Sequence, residues 1–118
     1  MAVTITEERV GTVKKIKFVV VSAADGSAAG TTTYTYDGEV LRFVAVPDVA
    51  PTQPTNLFDV VLNDADGYDI LAGQGANLSN AAPTTVVASM GAIATDTITL
   101  AASNMGAATG ATLYLYIR

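Results

Sequence analysis

The densest set of potentially reactive groups in the chain is Asn63-Asp64-Ala65-Asp66-Gly67-Tyr68-Asp69. Alternating oxygen donors ending in glycine are how an EF-hand loop wraps a hard cation. The spacing fits that pattern poorly. The first ligand position falls on Leu62, and no bidentate glutamate follows at the required distance. The stretch reads as a turn with solvated carboxylates. No metal is assigned, and a cation at Asp64, Asp66 and Asp69 is left as a question for the structure. Gly73-Gln74-Gly75-Ala76-Asn77 is glycine-rich, but it lacks the Lys-Ser/Thr of a phosphate loop and the third glycine and helix of a dinucleotide site. Ser22, Ser27, Ser79, Ser89 and Ser103 have no base to activate them, because the chain contains no histidine. Cysteine is also absent, which removes thiol nucleophiles, zinc–thiolate sites and disulfides. Glu7, Glu8 and Glu39 are the only glutamates and there is no tryptophan, a poor basis for glycoside hydrolysis. The expectation is a protein that is not an enzyme, with no catalytic residues and no cofactor.

What remains is the surface. Four of the six basic residues, Arg9, Lys14, Lys15 and Lys17, lie near the N-terminus, and Arg42 follows. No positive residue occurs from Phe43 to Ile117, where Asp48, Asp59, Asp64, Asp66, Asp69 and Asp96 all fall. Such polarity can steer one protein onto another, unless folding mixes the two ends. The candidate partner-contact residues are therefore Arg9, Lys14, Lys15 and Lys17, with Tyr114 and Tyr116 as exposed aromatics. A net charge of −5 and a pI near 4.3 argue against nucleic acid as the partner. Only 14% of residues are charged, well below the usual quarter or so, which fits a surface partly covered by something else. No apolar run approaches membrane-spanning length, and the opening residues have no secretory h-region. No membrane partner is expected.

These side chains must be positioned by strands. Ile16, Phe18 and Val20 alternate with Lys15, Lys17 and Val19, and Leu113, Leu115 and Ile117 alternate with Tyr114 and Tyr116. Asp37-Gly38 between TTTYTY and EVLRFVAV is a hairpin signal, which sets Leu41, Phe43 and Ala45 on one face and Val40 on the other. Residues 23–30 read as a loop, and Pro47, Pro51 and Pro54 make PDVAPTQPTN an extended surface loop. LFDVVLN, YDILA, TTVVASM, DTITLAA and ATLYLYI supply further strands. The fold class is all-β: an antiparallel β-sandwich or jelly-roll-like barrel of about eight short strands. Residues 1–118 form one domain, with 1–12 as an extended N-terminal arm. The expected core is Ile16, Phe18, Val20, Leu41, Phe43, Phe58, Val60, Leu62, Ile70, Ile98, Leu100, Leu113 and Leu115.

Four segments, MAVTITEERVGTVKKIKF, TTTYTYDGEVLRFVAVPD, QPTNLFDVVLNDADGYDILAGQGANLSN and TLYLYIR, carry a further signal. Together they resemble a group of small tailed-bacteriophage virion proteins, over nearly the whole chain. The resemblance implies a structural role in the particle, synthesis in the bacterial host cytoplasm, and no active site. It is most like a capsid decoration (cement) protein, a homo-oligomer bound to the major capsid protein or other virion proteins. A head–tail adaptor or tail ring component is the alternative, and a carbohydrate-binding or cell-surface module a third.

Overall fold

The computed structural model describes residues 2–118, which form nine β-strands and no helix. They are β1 (Ala2–Glu8), β2 (Lys14–Val21), β3 (Ala28–Thr31), β4 (Tyr36–Pro47), β5 (Asp59–Asn63), β6 (Thr84–Val86), β7 (Ala92–Asp96), β8 (Thr99–Ser103) and β9 (Gly110–Ile117). A six-stranded sheet runs β1-β2-β9-β4-β6, with β7 also pairing β4, and a three-stranded sheet runs β3-β8-β5. Every pairing is antiparallel. Of the two architectures expected, the sandwich is the one formed.

The core lies between the sheets. Ile16, Phe18, Phe43, Phe58, Leu62, Leu100, Leu113 and Leu115 are fully buried, and of the expected core only Leu41 is not buried. The cause is a register shift between Val40 and Arg42 where β4 pairs β9. An extra residue there resets the alternation, so Val40 turns into the core and Leu41 is only half-buried.

The Asp37-Gly38 hairpin does not form. Both residues lie inside β4, which continues unbroken from Tyr36 to Pro47. Gly38 has φ +128°, and a Cβ there would collide with the backbone carbonyl of Arg118. The glycine therefore marks an irregularity and a close backbone approach, the other common reason for glycine in a strand. Residues 32–35 instead carry the chain from β3 in the small sheet to β4 in the large one. The region 23–30 is not wholly loop either, since Ala28–Thr31 is β3. Ala2–Glu8 pairs with β2 along its full length, so this part of the expected arm is an edge strand of the large sheet. Met1 lies outside the described residues.

Buried polar groups are matched. Thr32 Oγ1 donates to Tyr34 O and accepts from Ile98 N, and Ser22 Oγ accepts from Thr109 N and donates to Gly106 O. Among the described residues no buried side-chain polar atom lacks a partner, as a stable interior requires.

Candidate functional site

Strand alternation that buries Ile16, Phe18, Leu113 and Leu115 must turn their neighbours outward. The register assembles those neighbours into a grid on the outer face of the large sheet. In one row Glu8 faces Lys15, Lys15 faces Tyr116, and Tyr116 faces Arg42. In the next, Thr6 faces Lys17, Lys17 faces Tyr114, Tyr114 faces Val44, and Val44 faces Thr85. A third row holds Thr4, Val19, Thr112 and Val46. One end of the face is cationic and aromatic, and the other end is aliphatic and hydroxylic.

The cations rest on the rings. The Arg42 guanidinium carbon sits 4.1 Å from the Tyr116 centroid, and Lys17 Nζ lies 6.0 Å from that of Tyr114. Such stacking holds a long side chain in place without neutralising it. Lys15 instead pairs with Glu8 at 3.1 Å, the one ion pair among the described residues. The hydrogen bond and charge of Glu8 raise the Lys15 pKa above its ordinary value, keeping the ammonium protonated.

Of the six residues singled out in the sequence, Lys15, Lys17, Tyr114 and Tyr116 come together on this face. Lys14 faces Ile117 at the start of β2, on the opposite face, and is half-buried. Arg9 lies in the connection between β1 and β2, its guanidinium 3.5 Å from the Tyr34 centroid. Arg42 was missed as a contact residue, although its alternation with Phe43 was the available signal. Val19 and Val44 alternate onto the same faces as Lys17 and Arg42, but neither they nor Val46 were among the contact residues, which were chosen by charge and aromaticity.

The fold separates the charges by layer only in part, since Asp96 lies on β7 beside β4 and Asp48 follows β4 in the large sheet. Asp59 belongs to β5 of the three-stranded sheet, and Asp64, Asp66 and Asp69 to the turns that follow it. Lys15, Lys17 and Arg42 are on the outer face of the other sheet.

The acidic turn is not the set expected. Asp69 faces backbone: it accepts from Leu62 N (3.1 Å), Leu71 N (3.1 Å) and Gly73 N (2.9 Å). Asp96 takes its place, so that carboxylate oxygens of Asp64, Asp66 and Asp96 fall within 4.8 Å of one another. Asp64 Oδ1 already accepts from Asp66 N and Tyr68 N, each at 3.0 Å. Three carboxylates, one of them with an oxygen already committed to its own turn, fall well short of the six to eight ligands of calcium.

A shallow hollow of about 650 Å³ beside the β1–β2 connection is lined by Glu7, Glu8, Arg9, Val10, Val13, Lys15 and Tyr116. Its carboxylates are engaged. Glu8 holds Lys15, and Glu7 accepts from Thr33 N (3.0 Å), Tyr34 N (3.1 Å) and the Tyr36 hydroxyl (2.7 Å). A lysine held protonated and two bound carboxylates are poorly suited to proton transfer. No family model, curated protein or solved structure matches the chain.

Proposed function

We propose that this is a structural protein of a phage virion, a capsid decoration protein that binds the assembled head through the outer face of its large sheet. The observation that carries the reading is that face: Lys15, Lys17 and Arg42 set among Tyr114, Tyr116, Val19, Val44 and Val46, half-buried to exposed on the side of the sheet turned away from the core. Arginine, tyrosine and aliphatic groups side by side are the mixture that protein interfaces use. The sequence resemblance favours an assembled shell as the partner. A protein that binds only the assembled form stabilises it by mass action, without catalysis or cofactor.

The test is binding to capsids prepared without this protein, with the triple variant K15E/K17E/R42E beside the wild type. Reversing these charges, half-buried at Lys15 and Lys17 and exposed at Arg42, should weaken binding at least tenfold, and the K17E/R42E variant, which keeps the Lys15–Glu8 pair, should weaken it while leaving the melting temperature close to that of the wild type. Wild-type binding of the triple variant would remove the face from the reading. Copy number separates the alternative: decoration requires hundreds of copies on the shell, whereas an adaptor ring requires a small number set by rotational symmetry. Binding of wild-type protein to immobilised glycans, with none to capsids, would favour the cell-surface module.

A further inference from the structure

β1 is the longest strand edge left open in the molecule. It bonds to β2 on one side, and among the described residues no backbone hydrogen bond is made on the other. The remaining edges are short or covered. β6 has three residues, β3 four and β7 five, while the outer side of β5 is closed by Gly75 O accepting from Val60 N and by the Phe58–Leu78 bridge.

Proteins usually guard such an edge with proline, a bulge or a free charge. β1 has none of these. Its sequence AVTITEE contains no proline, and its register runs without interruption from Ala2↔Val21 to Glu8↔Lys15. Both of its charges are engaged elsewhere: Glu7 reaches to Thr33, Tyr34 and Tyr36, and Glu8 holds Lys15. The outward-facing side chains at Thr4 and Thr6 are small, uncharged and exposed.

We propose that β1 pairs antiparallel with β1 of a second copy of this chain, about a two-fold axis at Ile5. The strand complements itself in that register. Thr4 faces Thr6 of the other copy, Ala2 faces Glu8, Val3 faces Glu7, and Ile5 faces Ile5. No two like charges oppose each other, and the threonine pairs are favourable cross-strand neighbours. The two large sheets become one continuous sheet, and the two Lys17–Tyr114 and Arg42–Tyr116 patches share one surface. Two linked patches bind a repeating lattice more tightly than either alone.

Sedimentation of the wild-type protein should show a reversible monomer–dimer equilibrium. The variant T4E/T6E places carboxylates opposite one another twice across the axis, while the one at position 6 faces Lys17 within its own chain. Its dimer should be at least tenfold weaker. T4K/T6E sets opposite charges across the axis and should restore the dimer, which pairing with a foreign strand would not do. Hydrogen exchange on the wild type provides a second reading: backbone amides of β1 should gain protection as concentration rises. A wild type that stays monomeric at high concentration, a dimer indifferent to T4E/T6E, failure of T4K/T6E to restore it, or β1 amides without concentration-dependent protection would each overturn the pairing. The pairing goes beyond the virion reading: a monomer that still decorates capsids would remove the one and leave the other standing.

Discussion

Replacing Tyr36 with phenylalanine removes a single oxygen from a well-defined place. The ring is 3% exposed and would remain so, while the hydroxyl donates to Glu7 Oε1 at 2.7 Å. That bond ties the start of β4 to β1, on the same carboxylate that collects Thr33 N and Tyr34 N. A hydrogen bond to a charged group contributes about 1.5–3 kcal/mol. Glu7 is half-buried and keeps two other donors, so the low end applies, about 1.5–2 kcal/mol. For a chain of this length each kcal/mol is worth about 4 °C, so the midpoint of Y36F should fall by ~6–8 °C. A cycle with E7Q should return a coupling of about 1 kcal/mol, as expected for residues in one network. Burial, then the Glu7 hydrogen bond and charge, raise the Tyr36 pKa above its ordinary value. The neutral phenol is thus favoured in the fold, while the unfolded phenol ionises near pH ~10. This contribution is complete below that pH and declines as pH climbs towards the folded value. Y36F should flatten the decline. Denaturant unfolding between pH 7 and 11 measures both effects. Zero coupling, or an alkaline limb unchanged in Y36F, would refute the assignment of that bond.

Phe43→Ala empties a site that is 0% exposed at the centre of the core, and should cost about 3–5 kcal/mol by chemical denaturation. Asp69→Ala releases three backbone N–H groups at once, two of them on the buried residues Leu62 and Leu71. It should cost about 2–3 kcal/mol, with faster amide exchange confined first to residues 69–76.

Alternation was enough to read β2, β5, β8 and β9, because each buries one face against the opposite sheet and leaves the other to solvent. It failed where long-range contact decides. Asp37-Gly38 carries the local chemistry of a turn, but the chain end packed against Gly38 keeps β4 extended. Glu39 and Arg118 then exchange backbone hydrogen bonds at 2.8 and 2.9 Å. Val40 and Leu41 exchanged roles because a bulge is a pairing event with no residue signature of its own. Leu71, Leu78 and Met105 are buried from irregular segments, where no period exists to point them inward. β7 falls between the TTVVASM and DTITLAA runs, where small alanines give no alternation to follow. The site was legible in its parts and not in its assembly. Lys15 and Lys17 on one strand and Tyr114 and Tyr116 on another each alternate visibly, but their meeting depends on the β2–β9 register. The Asp64–Asp66–Asp96 trio was likewise out of reach, since Asp96 arrives from a separate strand.

β9 is the last of the nine strands in sequence and sits between β2 and β4 in the large sheet. While the ribosome is still making residues before Gly110, β2 has β1 beside it and β4 has β6 and β7, but the edge that each offers to β9 is unfilled. The large sheet therefore closes late, in one step that joins segments some ninety residues apart, as at Val21 and Gly110. Topologies dominated by distant pairings fold on the order of milliseconds to seconds. During that interval one edge of β2 and one of β4 are open to neighbouring nascent chains. A chaperone acting at that stage would shield those edges until β9 arrives to fill both.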